Sequence, residues 1–203
     1  MLPTSSPAIM LVLTLSLLLA PALARWVNDL CPPGPLVPSL PPGIAQPAGA
    51  LNFVVVARGK GYQCADVSWA RANTYDAGCV LSQPPLYGAL APALPRLVRD
   101  HVAYPQIGAI PQLALELVET GNQLTVTDPG TGFFLTLNIS ARIAPPRVTR
   151  EYDFAWASFN AVDGDFDFGT EVLRTDTVGG VPRRCRPNRP VEADYAALYW
   201  FYK

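Results

Sequence analysis

The sequence predicts an all-β fold: an antiparallel β-sandwich or barrel-like domain with a Pro-rich N-terminal arm, stapled by disulfides. Short β-branched or alternating segments follow one another, separated at short intervals by turn-forming residues. That spacing is typical of sandwiches and barrels. A proline-dense stretch precedes these segments, and four cysteines follow an apolar leader.

The leader predicts secretion. Residues 8–20 form an uncharged apolar run that is too short for an ordinary membrane span. The small residues Ala22 and Ala24 follow it in the spacing that a signal peptidase accepts. We therefore expect a signal peptide at residues 1–24 and a secreted, extracellular mature chain without a membrane span. The alternative is an uncleaved membrane anchor.

Residues 25–50 are predicted to be the Pro-rich arm. From Pro32 to Pro47 the sequence reads PPGPLVPSLPPGIAQP, and so many prolines exclude a helix or a central strand. We expect this arm to lie along the domain, with a proline-rich ligand for a partner as the alternative reading. Residues 51–203 then form a single β-rich domain.

The strands are predicted from period-two alternation and from the turns between them. Residues 112–119 carry leucines at 113, 115 and 117, which favours a strand over a helix. The glycines of residues 58–63 predict a β-turn leading into a disulfide-stapled hairpin, and the prolines of residues 87–97 leave room for a short helical turn at most. Further strands are expected at 51–57, 123–127, 133–139, 152–159, 170–178 and 196–202.

The cysteines predict two disulfides, because their number is even and the compartment is oxidising. Sequence alone allows three pairings of Cys31, Cys64, Cys79 and Cys185. We favour Cys64 with Cys79, which are close in sequence, and Cys31 with Cys185, which would tie the two ends together. A zinc site is not indicated, because there is no CxxC pair and His101 is the only histidine.

Asn138 begins the sequon Asn138-Ile139-Ser140 and predicts a glycoprotein. Alternation within FFLTLNIS places Thr136 and Asn138 on the solvent face and the neighbouring aliphatic residues on the opposite face. Asn138 is therefore expected to be accessible to a glycan.

Two groups of residues are candidates for a ligand surface. Asp163, Asp165 and Asp167 alternate, but the EF-hand template fails because its Gly and Glu positions are occupied by Phe168 and Arg174. A solvated acidic turn explains the group more simply. Aromatic residues in the second group, Tyr152, Phe154 and Trp156, are spaced to share a strand face, where they would stack on sugars if exposed and fill the core if buried.

No catalytic, cofactor or metal residue is predicted. The two glycines of residues 59–61 lack the third glycine and the helix of a dinucleotide-binding loop, and no GxSxG motif is present. A formal net charge of −1 supplies no basic face for nucleic acid. The oligomeric state is left open.

Four motifs carry a resemblance to a known family: GKGYQC at 59–64, TYDAGCVL at 74–81, TVGGVPRRC at 177–185 and VEADYAALYWFY at 191–202. Together they resemble the secreted, mainly fungal family called domain of unknown function 3455. The resemblance implies a β-rich extracellular protein with the four cysteines in the family positions. Many members carry the automatic name malate dehydrogenase, but this chain lacks the βαβ pattern and the full glycine fingerprint of such an enzyme.

These observations leave three hypotheses for function. The first is a secreted or cell-surface binding or structural protein, whose partner is a polysaccharide, the cell wall or a host surface component. The second is an extracellular carbohydrate-active enzyme that uses acidic residues such as Asp163 and Asp165. The third, an NAD-dependent malate dehydrogenase, is the one that the sequence favours least.

Overall fold

Eight antiparallel strands close into a barrel in the computed structural model of the chain. The structure describes residues 38, 40–64, 67–81, 93–99, 112–145, 153–182 and 191–203, except for the side chains of residues 79 and 80. The strands are β1 (Leu51–Cys64), β2 (Val67–Asp76), β3 (Gln112–Thr120), β4 (Gln123–Asp128), β5 (Phe133–Ile143), β6 (Trp156–Gly164), β7 (Glu171–Gly179) and β8 (Ala193–Tyr202).

Each strand pairs with the next one in the chain, and β8 returns to pair with β1. At 14 residues β1 is long enough to pair with β2 along one edge and with β8 along the other. Closure leaves none of the eight described strands with a free sheet edge. The predicted all-β class is confirmed, and of the two architectures left open by the sequence the barrel is the one observed.

The barrel interior is filled by alternate side chains of the strands. Small residues such as Ala57, Ala70 and Ala72 share the interior with large apolar side chains. Phe53 stacks on Phe201 with ring centroids 4.3 Å apart. An eight-stranded barrel has an interior that side chains can fill, which agrees with this packing.

A second apolar layer, the outer cluster, covers the outside of β1, β7 and β8. It combines outward-facing strand residues with Ile44 of the proline-rich stretch and with residues of two short helices, α1 (Gly78–Leu81) and α2 (Leu94–Arg99). The outer cluster comprises Ile44, Val54, Val56, Ala77, Leu81, Leu94, Trp156, Leu173, Leu198, Trp200 and Tyr202. Strand β8 is therefore buried on both faces, which explains its nearly continuous apolar sequence.

Three local predictions differ from the structure. Residues 58–63, where a turn was expected, belong to strand β1. A Cβ on Gly59 would meet the Arg71 carbonyl oxygen at 1.9 Å, so this glycine is needed where the two strands approach closely. The expected strand at 152–159 begins only at Trp156 and runs on to Gly164. Residues 94–99 form a real helical segment, since Pro95 lies in its first turn, where no backbone donor is needed.

The favoured pairing of Cys64 with Cys79 does not fit the fold. Cys64 ends β1 and faces Val67 at the start of β2, whereas residue 79 lies in α1, beyond the far end of that strand. Strand β2 has 10 residues, which span about 30 Å. A disulfide requires Cα atoms within about 7 Å of each other. We call the two ends of the barrel the Cys64 end and the Leu51 end.

Candidate functional site

The outside of β3 to β6 carries a regular array of polar side chains, which we call the polar face. Strand register places Thr120 beside Gln123, Gln123 beside Asn138, and Asn138 beside Asn160. A second row, nearer the Leu51 end, places Thr125 beside Thr136. Facing side chains on neighbouring strands lie about 5 Å apart. The polar face consists of Thr120, Gln123, Thr125, Thr136, Asn138 and Asn160, each exposed or half-buried.

Exposed apolar side chains border the polar face toward the Leu51 end. Phe134, on β5, is 43% exposed, and Phe166, in the short 3-10 helix after β6, is 49% exposed. The backbone links their segments, because Asp165 N–H donates to the Phe134 carbonyl oxygen over 3.0 Å. Asp163 and Asp165 are exposed at the same edge. This corner combines aromatic rings with carboxylates.

The predicted solvent orientation of Asn138 is confirmed. Asn138 is exposed and Thr136 is half-buried, whereas Leu135 and Leu137 point into the barrel. The Ser140 hydroxyl of the sequon is also exposed and lies 2.8 Å from the Ser158 hydroxyl. The sequon is therefore at the surface, in the middle of the polar face.

A second polar group lies inside the barrel. Arg174 on β7 donates from Nη1 to the Glu119 carboxylate on β3, and both side chains are at most 1% exposed. These strands are four positions apart in a ring of eight, so the ion pair crosses the interior. Arg174 Nε donates to the Ala155 carbonyl oxygen at 2.9 Å.

Arg142 extends this ion pair toward the Cys64 end. Its Nη2 atom donates to the other Glu119 carboxylate oxygen at 3.3 Å, to the Gly121 carbonyl oxygen at 3.0 Å and to the Ser68 hydroxyl at 3.3 Å. Its side chain is 24% exposed. Arg142, Arg174 and Glu119, which we call the Arg-Glu-Arg cluster, thus run from the solvent-accessible end into the interior.

Aromatic side chains surround the inner guanidinium. The Arg174 Cζ atom lies 4.6 Å from the Phe154 ring centroid and 5.4 Å from that of Phe159, distances that allow cation–π attraction. The hydroxyls of Tyr195 and Tyr199 hydrogen-bond to each other at 2.6 Å. The Arg174 guanidinium thus lies among aromatic rings, and Glu119 is its ion-pair partner.

Burial also shifts the pKa values of these groups. It works against the charge of Arg174, but the Glu119 carboxylate and the neighbouring tyrosines outweigh it, so the pKa of Arg174 is raised. For Arg142, burial dominates and lowers the pKa despite the attraction of Glu119. Burial raises the pKa of both Tyr195 and Tyr199. The two phenols therefore stay protonated at neutral pH.

Two nitrogen atoms of the Arg-Glu-Arg cluster have no acceptor among the residues that the structure describes. They are Arg174 Nη2 and Arg142 Nε, and both are buried. The Tyr199 hydroxyl interacts with the Arg174 side chain by charge and by hydrogen bonding and raises the pKa of Arg174. It is hydrogen-bonded to Tyr195 at 2.6 Å, however, and does not reach Nη2 with hydrogen-bond geometry. Buried donors are nearly always paired, so two in one cluster call for an explanation.

The structure disperses the predicted ligand surface. Trp156 is 6% exposed and belongs to the outer cluster, whereas Phe154 is fully buried inside the barrel. They do not share a face, because β6 begins only at Trp156. Tyr152 lies outside the described residues. Of the predicted residues that the structure describes, the exposed ones are Asp163, Asp165 and Asp167.

Sequence reasoning missed the Arg-Glu-Arg cluster, although a signal was present. Glu119 continues the period of Leu113, Leu115 and Leu117, so it falls on the inward face of β3. Arg174 likewise shares the inward parity of Val172 on β7. A charged residue in a core position of an alternating strand is a recognisable sign of a buried ion pair or site.

In the part of the chain that the structure describes, no group of three or more His, Cys, Asp or Glu residues is arranged to hold a metal ion. Among those same residues, no helix is long and apolar enough to cross a membrane. Of the four cysteines, only the side chain of Cys64 is described, and Cys31 and Cys185 lie outside the described ranges.

Comparisons of the chain with protein-family models, with curated proteins and with solved structures find no match.

Proposed function

We propose that this chain is a secreted, non-enzymatic binding protein whose polar face contacts polysaccharide at a cell wall or host surface. The observation that carries the proposal is the contrast between the two sides of the barrel. An apolar layer covers β1, β7 and β8, whereas the polar face on β3 to β6 has no such cover among the described residues. As far as the described residues extend, this side is therefore open to a partner.

The chemistry of the polar face suits sugars. Its amide side chains, at Gln123, Asn138 and Asn160, both donate and accept hydrogen bonds, and so do its threonine hydroxyls. Polysaccharide hydroxyls have the same dual capacity. The exposed rings of Phe134 and Phe166 offer apolar faces at one edge, where a sugar ring can pack.

The proposal includes the predicted processing of the chain. It takes residues 1–24 as the signal peptide, residues 25–50 as a Pro-rich arm and the four cysteines as two disulfides that stabilise the domain outside the cell. Because Cys64 and residue 79 lie at opposite ends of β2, Cys64 is expected to pair with Cys31 or Cys185. Peptide mapping without reduction tests this pairing, and a peptide linking Cys64 to Cys79 would contradict it.

The predicted glycan also bears on the proposal. A glycan on Asn138 would cover its lateral neighbours Gln123 and Asn160. We therefore expect glycosylated protein to bind polysaccharide more weakly than protein made in a host without N-glycosylation. An Asn138→Gln variant, which lacks the acceptor amide, should bind equally in material from both hosts.

Pull-down with a panel of insoluble polysaccharides and wall fractions tests the binding role. The double variant Gln123→Ala/Asn160→Ala removes two members of the polar face, and we expect it to lower retention at least tenfold. Lys60→Ala is the matched control, because Lys60 is also exposed on a strand but lies on β1, away from the polar face. Equal retention of both variants, or no retention of the parent protein, would exclude the polar face.

The same samples should be assayed for released soluble sugar. Asp163 and Asp165 border the polar face, so a carbohydrate-active enzyme would act at this edge. Sugar release by the parent protein that disappears in Asp163→Asn/Asp165→Asn would replace the binding role with hydrolysis.

A further inference from the structure

We propose that the interior of the barrel holds an anion-binding site at its Cys64 end, where Arg142 and Arg174 take a small carboxylate or other oxyanion. This site is separate from the polar face and does not depend on the function proposed for it. Three properties of the Arg-Glu-Arg cluster support this site: its charge, its unpartnered donors and its accessibility.

The cluster has more positive than negative charge. Glu119 offers one carboxylate, and its two oxygens are each bonded to a different guanidinium. In the described part of the chain, no other carboxylate bonds to either arginine. Within the described ranges, one positive charge is therefore left without a counter-ion in a largely buried place. Buried charges in proteins are paired, so a further anion would complete the set.

The unpartnered donors show where such an anion would bind. Nη2 of Arg174 is buried in a side chain that is 0% exposed, and Nε of Arg142 is buried as well. Both arginines bond to the same carboxylate, which brings the two guanidiniums close together. Charge-assisted hydrogen bonds to an oxyanion would satisfy these donors and are stronger than bonds to a neutral acceptor.

The surroundings limit the size and the path of the ligand. The rings of Phe154 and Phe159 flank the inner guanidinium, so the ligand must be compact there. Arg142 is partly open to solvent, at 24% exposure, beside Gly121 in the β3–β4 turn. The ligand is thus a small anion that enters at the Cys64 end, with its oxygen atoms facing the two guanidiniums.

Titration of the mature protein with sodium acetate and with sodium phosphate, at constant ionic strength, tests the site. Two signals are followed: the side-chain Nε–H resonance of Arg142 in ¹⁵N NMR spectra and the midpoint of thermal unfolding. For at least one of the two anions, we expect a saturable shift of the resonance and a midpoint increase of about 5 °C or more at a hundredfold excess over Kd.

Arg142→Gln removes one guanidinium and is expected to abolish both responses. Arg71→Gln is the matched control, because Arg71 is an exposed strand arginine that is also paired with a glutamate; it should respond as the parent protein does. Identical responses in the two variants, or a parent resonance that shifts linearly without saturation, would overturn the proposal. If Arg142→Gln fails to fold, the saturation behaviour of the parent resonance decides the question alone.

Discussion

Glu119→Gln is the most informative perturbation of the buried ion pair. The substitution preserves the size of the side chain but removes the charge that faces Arg174. Because Arg174 is fully buried and Glu119 is 1% exposed, the substitution leaves the inner guanidinium without its ion-pair partner in the interior. Loss of one partner of a buried pair costs about 3–5 kcal/mol. That is a large part of the total stability of about 5–15 kcal/mol that is typical of a domain.

The chain supplies a matched control on the same strand. Glu116 also pairs with an arginine, Arg71, but on the outside of the barrel, where the two side chains are 33% and 71% exposed. Solvent screens such a pair, so Glu116→Gln should change the free energy of unfolding by about 1 kcal/mol at most. Urea unfolding followed by circular dichroism gives both values, with an unchanged m-value as the sign that the folded state is intact.

A double variant separates the energy of the pair from the cost of the orphaned charge. Glu119→Gln/Arg174→Met also removes the fully buried guanidinium and should be more stable than Glu119→Gln alone, because the one arginine left without its carboxylate, Arg142, is partly exposed. If Glu119→Gln costs no more than Glu116→Gln, or if the double variant loses the sum of both single changes, the ion pair does not act as described.

Two further predictions concern the tyrosines and a strained glycine. Burial raises the pKa of Tyr195 and Tyr199, so the folded state retains protons that the unfolded chain releases above about pH 10. Stability in urea should therefore be constant from pH 8 to about 10 and then fall, by about 1.4 kcal/mol per pH unit for each tyrosine; constant stability up to pH 11 would contradict this. Gly164 has a φ of 103°, and a Cβ there would meet the Phe134 carbonyl oxygen at 2.3 Å. Gly164→Ala should lower the free energy of unfolding by about 2 kcal/mol or more. The control is Gly121→Ala, because Gly121 has a φ of 61° but a Cβ there would meet nothing within 4 Å. Equal losses of stability in the two variants would refute the clash.

Strand faces could be predicted because side chains alternate along a strand whatever it pairs with. In β5 the alternation correctly assigned Leu135 and Leu137 to the interior and Asn138 to the surface. The strand expected at 196–202 is likewise confirmed as part of β8. These predictions succeeded because each depends on neighbours in the sequence alone.

Other predictions failed where the partner strand decides the outcome. The glycines of β1 were interpreted as a turn, yet Gly59 is part of a strand that a neighbouring backbone approaches closely. Trp156 was considered for a ligand surface, but α1, α2 and Ile44 build an outer cluster around it. A burial of this kind depends on which distant segments cover a strand, and alternation carries no information about that.

The sequence by itself determined an all-β chain with alternating faces and an exposed Asn138, because a strand's periodicity is local. Only the tertiary structure decided that the sheet closes into a barrel and that Cys64 lies far from residue 79. It also brought Arg174 and Glu119 together across the interior, although they are 55 residues apart in the chain. The physical reason is that closure and register depend on pairing between strands, and the charge of a buried site depends on every strand that encloses it.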